Sequence, residues 1–281
     1  MVSSRGPRRP AQERPDRAEE GRMTLETIAA ELRAAEAGGR TIAPLRDRLS
    51  TGAEAYAVQQ INTTHRLAAG GRLVGRKVGL TNPVVQRQLG VDQPDYGMLF
   101  ADMEVMHDAE IAWNPGAQFK VEAEIAFIVG RELTAADLSM AELIRGIDCA
   151  VPAIEIVGSR IANWDIRFVD TVADNGSSAF FTLGPFPRRL ETLDLLGCAM
   201  RMEGTDGTLS EGRGDACFGS PLNAALWLAR GMARVGYPLA PGDVLLSGAL
   251  GPMLTATPGS RYVARIEGLG EAAVRFGAAR G

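Results

Sequence analysis

Two glutamates at alternate positions of an apolar segment are the first residues in this sequence that could do chemistry together. Residues 120–127 read KVEAEIAF and place Glu122 and Glu124 two positions apart. The length and β-branched content of this stretch predict a strand over 121–129, and alternate residues of a strand share a face. Their Cα atoms would lie roughly 7 Å apart. Two carboxylates that converge among apolar neighbours repel each other, and a divalent cation would relieve that repulsion.

A plainer interpretation of the same pair is an edge strand that carries Lys120, Glu122 and Glu124 on a solvated face. Glu155 weighs against it, because this carboxylate lies between two isoleucines in VPAIEIV, within a second predicted strand over 150–157. If the strands are neighbours, three glutamates form an all-oxygen site. Oxygen ligands without His or Cys favour Mg²⁺ or Mn²⁺ over Zn²⁺. Residue types alone leave three nearby acids open as alternatives to Glu155, namely Asp165, Asp170 and Asp174.

Lys77 and Asp95 are two further candidates, and each has an ordinary alternative. Lys77 lies mid-strand in GRKVGLT, between Gly75 and Gly79, and glycines let a ligand or another backbone approach closely. A lysine there could hold a substrate carboxylate, or it could be a surface lysine. Asp95 lies in DQPDYG, a pattern that predicts a turn whose aspartate hydrogen-bonds its own backbone.

Two predicted helices precede these candidates. Leu25, Ile28 and Leu32 recur at helical spacing, and glycines at 38 and 39 end that helix. Thr51-x-x-Glu54 is a capping-box pattern that opens a second helix, which ends near residue 70. The first 22 residues contain six Arg, four acids and three Pro with almost no large apolar side chain. We therefore expect a disordered tail over 1–22, a helical lead-in over 23–70 and a catalytic domain over 71–281.

The rest of the chain is predicted to be mostly strands, which favours an α+β protein over an alternating βαβ protein. A helix should follow Asn82-Pro83 and end at Gly90, and another over 222–235 should have Ser220 as its N-cap and Pro221 at its first position. GLGEAA at 268–273 resembles a dinucleotide-binding fingerprint, but a short strand follows it, so it predicts a hairpin turn. The predicted strands are 72–80, 121–129, 150–157, 198–203, 244–246, 261–266 and 273–276.

Composition excludes several functional classes. The 281 residues carry a formal net charge of -4, so no global basic field attracts nucleic acid or an anionic membrane. The only histidines are His65 and His107, and this small number argues against a Ser-His-Asp triad or a multi-histidine metal site. The 3 cysteines are widely spaced, which argues against a disulfide framework and favours a reducing, cytoplasmic location. No run of 18 apolar residues predicts a membrane span.

Five stretches of the sequence resemble the 2-hydroxypenta-2,4-dienoate (2-keto-4-pentenoate) hydratases of the fumarylacetoacetate hydrolase superfamily. They lie at 75–103, 120–127, 151–178, 219–233 and 242–253, and the likeness extends from about residue 24 to residue 277. The resemblance implies an α+β fold with a mixed β-sheet roll, an Mg²⁺- or Mn²⁺-dependent site and a symmetric homo-oligomer.

The same resemblance assigns roles position by position. Lys77 and Asp95 match the pair that handles substrate and transfers protons. The matched metal ligands are Glu122, Glu124 and Glu155. The matched substrate-binding positions are Gly79, Leu80 and Ser177.

The implied reaction adds water to 2-hydroxypenta-2,4-dienoate, a step in the meta-cleavage degradation of aromatic compounds, and gives 4-hydroxy-2-oxopentanoate. The related 4-oxalocrotonate decarboxylases are the first alternative; they share the E-x-E pair but have an apolar residue where this chain has Asp95. A 2-oxo-hept-4-ene-1,7-dioate hydratase is the second alternative. A non-catalytic partner subunit is a third, and a pathway decarboxylase or aldolase would be the partner. Nucleic acid and membranes are not expected partners.

Overall fold

The strands of the protein form two sheets in a computed structural model that describes residues 17–81, 86, 91 and 93–279. Every element below is named within this part of the chain. The strands are β1 Leu73–Gly79, β2 Asp95–Phe100, β3 Glu110–Ile111, β4 Lys120–Val129, β5 Ile147–Val157, β6 Ser178–Leu183, β7 Ala199–Gly204, β8 Leu209–Arg213, β9 Val244–Ala249, β10 Leu254–Thr255, β11 Arg261–Ile266 and β12 Gly270–Phe276.

The larger sheet has seven strands in the order β2-β1-β9-β4-β5-β6, and β10 pairs with β4. β1 and β9 are parallel, whereas β1–β2, β4–β5, β4–β9 and β5–β6 are antiparallel. The mixed sheet that the resemblance implies is therefore confirmed. β2 and β6 are its two edges, and the strands with the candidate glutamates lie towards its middle.

The smaller sheet has five strands in the order β3-β12-β11-β7-β8. β11 and β12 pair from Arg261 opposite Arg275 to Ile266 opposite Gly270, so GLGEAA forms a hairpin turn as predicted. β11 and β12 pack against β5, and one apolar core joins the two sheets. Its largest fully buried side chains include Phe127 and Phe181 from the larger sheet and Tyr262 and Phe276 from the smaller one.

The helices are α1 Arg17–Ala37, α2 Gly52–Ala68, α3 Met140–Gly146, α4 Phe168–Ala173 and α5 Pro221–Arg234. The capping box that opens α2 is confirmed, because Thr51 accepts from the Glu54 backbone N–H and the Glu54 carboxylate accepts from the Thr51 backbone N–H. Ser220 and Pro221 start α5 as the sequence predicts, since the Ser220 hydroxyl accepts from the backbone N–H of Leu222.

A second apolar cluster lies between the first two helices and α4. It contains Ile28 and Leu32 of α1, Val58 of α2 and Val172 of α4, all buried. α4 is short and was not predicted, since residues 168–173 show too few turns for helical periodicity to stand out. The lead-in helices therefore pack on a segment just before β6.

Several predictions made from the sequence are wrong, and others fall on residues that the structure does not describe. Asp95 is not in a turn: it is the first residue of β2, which pairs with β1, and it is 1% exposed. α1 begins at Arg17 rather than near Met23, so residues 17–22 of the predicted tail are helical. Residues 1–16 of that tail lie outside the described residues, as does the helix predicted after Asn82-Pro83 except for Gln86. In the described chain, no helix has the length and apolar character that crossing a membrane requires.

Candidate active site

The three candidate glutamates meet on one face of the larger sheet. β4 and β5 are antiparallel, and their register places Glu122 directly opposite Glu155. Glu124 lies two residues further along β4, so it shares the face of Glu122. One carboxylate oxygen from each residue lies within 4.8 Å of the others. β4 and β5 are therefore neighbours, as the three-glutamate site predicted from the sequence requires.

Two of these carboxylates are buried without enough partners. Glu124 Oε2 accepts from the Gly248 backbone N–H at 2.8 Å. Glu155 Oε1 accepts from the Ser178 hydroxyl at 2.9 Å. Glu124 Oε1 and Glu155 Oε2 are buried and have no hydrogen-bond partner among the described residues. Buried carboxylate oxygens without partners are costly, and an all-carboxylate donor set fits Mg²⁺ or Mn²⁺.

The raised pKa values of two of the glutamates show that placing these carboxylates close together is electrostatically unfavourable. Burial and the neighbouring Glu155 carboxylate raise the pKa of Glu122 to about 7. Burial, followed by Glu155 and Glu122, raises the pKa of Glu124 well above its usual value. Without a cation, part of the cluster therefore binds protons near neutral pH. A dication that takes their place removes the repulsion and releases those protons.

Lys77 lies on β1 and carries its ammonium into the same cluster. The residue is 3% exposed, and its Nζ lies 3.4 Å from Glu155 Oε1. Burial alone would lower the pKa of Lys77, but the Glu155 and Asp95 carboxylates outweigh burial and raise that pKa above its usual value. Lys77 is therefore a charged, buried cation, and the surface-lysine interpretation is excluded.

Asp95 faces Lys77 from the edge strand β2. The register of β1 and β2 places Gly79 opposite Asp95. Burial raises the pKa of Asp95, and the Lys77 ammonium offsets only part of that rise; the Thr171 hydroxyl and the Gly79 backbone N–H also stabilise the carboxylate. Asp95 Oδ1 is buried and has no partner among the described residues. The carboxylate is thus buried with one oxygen free to exchange a proton.

Glycines around these groups leave the space that a side chain would fill. A Cβ on Gly79 would overlap Asp95 Oδ1 and would lie 3.1 Å from the Lys77 Nζ. A Cβ on Gly97 would overlap the Asn175 carbonyl oxygen and lie 3.1 Å from the Ser178 hydroxyl oxygen. The glycines at both positions therefore allow the polar groups to approach each other.

Leu80 and Ser177 border the site, each with an unusual backbone conformation. Their φ values are 55° and 56°, in the left-handed region that side chains rarely adopt. Such strain is often found at functional positions. The Ser177 hydroxyl lies 3.4 Å from Asp174 Oδ2, whereas the neighbouring Ser178 hydroxyl contacts Glu155. The substrate-binding roles of Gly79, Leu80 and Ser177 stay predictions.

The acids that the sequence left open against Glu155 have other partners. Asp165 pairs with Arg46 on the surface. Asp170 accepts from the backbone N–H groups of Leu45, at 2.5 Å, and Arg167, at 2.8 Å. Asp174 forms a buried ion pair with Arg160 at 2.5 Å. Their carboxylates serve helix ends and ion pairs, which leaves Glu155 as the third member of the cluster.

Sequence reasoning missed three groups that contact the site residues. They are the Ser178 hydroxyl on Glu155, the Gly248 N–H on Glu124 and the Thr171 hydroxyl on Asp95. Ser178 and Gly248 lie in the family-like segments DNGSS and SGALGPM, so those motifs were the available signal. Thr171 also lies in the family-like stretch 151–178, but its contact with Asp95 could not be predicted, because α4 was not predicted.

Comparisons with known proteins show which family this chain is similar to. The family model described as fumarylacetoacetate (FAA) hydrolase C-terminal matches residues 72–276. The 2-keto-4-pentenoate hydratase 1 of Dechloromonas aromatica (strain RCB) is 56% identical over 256 residues, which are 90% of this chain and 97% of the relative. The TodF product hydratase of Pseudomonas putida is 55% identical over 240 residues, 85% of this chain and 90% of that one. The 4-oxalocrotonate decarboxylase from Pseudomonas putida G7, complexed with magnesium and adipate, superposes with a TM-score of 0.86 at 29% identity, over 91% of this chain and 98% of that one.

Proposed function

The chain belongs to the fumarylacetoacetate hydrolase family, and we propose that it is a divalent-metal-dependent hydratase that adds water to 2-hydroxypenta-2,4-dienoate. The product is 4-hydroxy-2-oxopentanoate. Relatives named as 2-keto-4-pentenoate hydratases match about half of its residues over nearly their full length, which supports this activity.

One observation carries the proposal: a cluster of three carboxylates, of which Glu124 and Glu155 are buried and each keep an oxygen without a partner among the described residues, lies beside a buried lysine and a buried aspartate. The trio would hold Mg²⁺ or Mn²⁺ through Glu122, Glu124 and Glu155. When bound, this cation supplies Lewis-acid stabilisation of the negative charge that develops on the C2 oxygen of a 2-oxo acid, an effect worth several kcal/mol. Lys77 and Asp95 contribute charge and proton transfer from the same face of the sheet.

Asp95 is the proton carrier in the proposed reaction. The dienol first becomes the 2-oxo-3-enoate as its hydroxyl proton leaves and a proton is added at C5. Water then adds at C4, and its second proton is delivered to C3. Each step needs a group that accepts a proton and returns it, and Asp95 has a raised pKa and an oxygen that no other described residue bonds. General acid–base catalysis of this kind typically contributes 10²–10⁴-fold.

Lys77 holds the anionic substrate in place. Its ammonium is charged and buried, so it stabilises negative charge in surroundings where water does not screen it. Backbone groups at Gly79 and Leu80 and the Ser177 hydroxyl complete the substrate contacts.

A direct test follows the ultraviolet absorbance of 2-hydroxypenta-2,4-dienoate with the purified protein, with Mn²⁺ and with EDTA. We expect rapid loss of absorbance that EDTA stops and that added Mn²⁺ restores. A protein that binds Mn²⁺ but never consumes the dienoate would instead fit the non-catalytic partner subunit. An EDTA-resistant reaction would contradict the metal dependence.

The Asp95→Asn variant tests the role of the aspartate. Asparagine keeps the size of the side chain but cannot take up a proton, so hydration should fall by about 10²–10⁴-fold. Mn²⁺ binding, measured by calorimetry, should persist because Asp95 is not one of the three ligands. Full activity of this variant would refute its role.

Decarboxylation is the second candidate reaction, because the solved 4-oxalocrotonate decarboxylase has the same fold with a TM-score of 0.86. Asp95 favours hydration over it, since addition of water needs a base and loss of carbon dioxide does not. Carbon dioxide release from 4-oxalocrotonate, measured beside dienoate and 2-oxo-hept-4-ene-1,7-dioate hydration, separates the three activities. The fastest turnover identifies the substrate.

Two further properties belong to this proposal: the protein acts in the cytoplasm and forms a homo-oligomer. Cys149, Cys198 and Cys217 are free thiols, which suits a reducing compartment. A groove of about 600 Å³ is lined partly by Ile144 and Leu196, which are 42% and 51% exposed, and a subunit contact would cover such side chains. Light scattering on the eluted protein measures the subunit number.

A further inference from the structure

Three consecutive residues just before β6 adopt the left-handed backbone conformation. The φ values of Asn175, Gly176 and Ser177 are 57°, 61° and 56°. Two of the three carry side chains: asparagine tolerates this conformation, whereas for a residue such as serine it costs roughly 1–2 kcal/mol. Such a turn persists only when its surroundings hold it in place.

The Asn175 side chain provides the first restraint on this turn, and it connects the two edges of the larger sheet. The Asn175 side chain accepts from the Met98 backbone N–H at 2.7 Å and donates to the Met98 carbonyl at 2.9 Å. Asn175 thus pairs with the edge strand β2 as a strand residue would, while the chain continues directly into the other edge strand, β6. One side-chain amide therefore bridges the gap between the open edges.

The second restraint is the buried ion pair of Arg160 and Asp174. The Arg160 guanidinium contacts both the carboxylate and the carbonyl of Asp174, and it also donates to the Gly158 and Ser178 carbonyls at 2.6 and 3.0 Å. It therefore holds the residues on both sides of the turn. Gly158 adds a backbone bond of 2.8 Å to the Ser177 carbonyl.

The restrained turn lies directly against the end of the Lys77 side chain. A Cβ on Gly176 would lie 2.5 Å from the Lys77 Cε and 3.0 Å from its Nζ. The first distance is shorter than real Cβ contacts and the second is tighter than most of them, so the absence of a side chain is what allows the lysine to occupy its place. Immediately after the turn, the Ser178 hydroxyl reaches Glu155, the same carboxylate that Lys77 contacts.

We propose that the turn Asn175–Ser177 is the positioning element for Lys77, with Gly176 as the backbone wall that sets where its ammonium lies. Asn175 and the Arg160–Asp174 pair act through this wall, so they are positioning residues and do not touch the substrate. The inference rests on the proposed function, because it assumes that Lys77 acts in the hydration.

The Gly176→Ala variant tests the wall directly, and Gly207→Ala is its matched control. Gly207 also has a positive φ, 84°, but a Cβ there would meet nothing within 4 Å. Both variants carry the same kind of backbone strain, and only the first displaces the lysine. Misplacing a catalytic group by about 1 Å can cost about 10²-fold in rate. We therefore expect kcat for dienoate hydration to fall by about 10- to 100-fold in Gly176→Ala and by less than about twofold in Gly207→Ala.

Two further measurements separate positioning from damage to the fold. The melting temperatures of the two variants should agree, because the end of the Lys77 side chain moves and the backbone does not. Gly176→Ala should bind Mn²⁺ at least as tightly as the wild type does. Moving the ammonium away from Glu155 removes a cation that competes for that carboxylate. A kcat that stays within twofold of the wild type, or that falls only together with Mn²⁺ binding, would overturn the proposal.

Asn175→Gly provides an independent variant if Gly176→Ala folds poorly. Glycine accepts the left-handed conformation, and the substitution removes both bonds to Met98 without placing an atom near Lys77. We expect a smaller fall in kcat, about threefold to tenfold, with Mn²⁺ binding retained. Unchanged kcat in this variant would exclude Asn175 as a positioning residue.

Failure of the proposed function is distinguishable from failure of this inference. If the wild type consumes no dienoate, the proposed function is wrong whatever the variants do. The wall is then tested by comparing crystal structures of the wild type and Gly176→Ala. The distance between the Lys77 Nζ and Glu155 Oε1 should be longer in the variant than in the wild type. An unchanged distance would overturn the inference alone.

Discussion

Carboxylates next to the two sheets lie in opposite surroundings. At the larger sheet, Glu124 and Glu155 are fully buried, and each has an oxygen without a partner among the described residues. Beside the smaller sheet, Asp206 is exposed, yet both of its oxygens are occupied. They accept from Thr208 N–H at 3.1 Å and Oγ1 at 2.6 Å, and from the hydroxyls of Tyr262 at 2.7 Å and Thr257 at 2.8 Å.

The pKa values of the carboxylates at the two sheets move in opposite directions because their neighbours differ. Hydrogen-bond donors and arginines surround those at the smaller sheet, and other carboxylates surround those at the larger one. Desolvation alone would raise the pKa of Asp206, but the donors from Thr208 and Tyr262 outweigh it and lower the pKa to about 2. Arg275 and Arg261 likewise lower the pKa of Asp108. At the larger sheet, burial and mutual repulsion raise the pKa of Glu122 to about 7. Donors from the chain itself lower the pKa of the carboxylates at the smaller sheet, whereas two buried carboxylates at the larger sheet each keep an oxygen without a partner among the described residues.

The largest effect that distinguishes the two regions is expected from Glu124→Gln compared with Asp206→Asn. Glu124→Gln removes a proposed metal ligand, so metal-dependent hydration should fall by about 10³-fold or more, which corresponds to the several kcal/mol that such a cation supplies. Its melting temperature in EDTA should stay the same or rise, because a buried repulsive charge is gone. Steady-state kinetics with Mn²⁺ and thermal melts measure both.

Asp206→Asn should show the reverse pattern. Its kcat should remain within about twofold, and its melting temperature should fall, since an amide cannot accept four hydrogen bonds as the carboxylate does. If Glu124→Gln lowered the melting temperature in EDTA as Asp206→Asn does, the buried glutamates would be structural too, and the contrast between the two regions would disappear.

The pH dependence of Mn²⁺ binding is the next test. In the metal-free protein the pKa of Glu122 is raised to about 7 and that of Glu124 is raised well above its usual value, so both must lose protons before they bind a cation. Affinity should therefore increase as pH rises towards about 7, by about tenfold per pH unit for each proton displaced. Calorimetry in buffers of different ionisation enthalpy counts those protons. An affinity that does not change between pH 5 and pH 7 would contradict the raised values.

The paired strands that carry the cluster could be predicted from sequence because the information is local. An E-x-E pair within an apolar strand, and a lone glutamate between isoleucines in a second one, indicate buried carboxylates on extended chain. β-Branched content located β4 and β5 within a few residues. What the sequence does not contain is the register, and the register is what places Glu122 opposite Glu155.

Asp95 shows why the rest could not be predicted. Its flanking residues, Pro94 and Gly97, are typical of turns, but pairing with β1 makes the segment an edge strand. Tertiary pairing overrides local preference most easily in short edge strands. Asn175 lies in the family-like DNGSS segment, but its bonds could not be predicted from that segment, because they join it to Met98, which lies 77 residues away in sequence.

The smallest predicted effect is at the smaller sheet, where Tyr262→Phe removes a donor from Asp206 and an acceptor from the Thr257 backbone N–H and leaves the ring in the core. The bond to an exposed carboxylate is worth about 1 kcal/mol or less in the free energy of unfolding. Because the pKa of Asp206 is lowered to about 2, its contribution is present above the usual aspartate value and is lost as pH falls towards about 2. Denaturant unfolding should therefore show a gap between wild type and Tyr262→Phe at pH 7 that narrows between pH 4 and pH 2. In the Asp206→Asn background, which has no carboxylate to titrate, the effect of Tyr262→Phe should not change with pH. A gap that narrows equally in that background would mean that another group titrates, and that the hydroxyls around Asp206 do not lower its pKa.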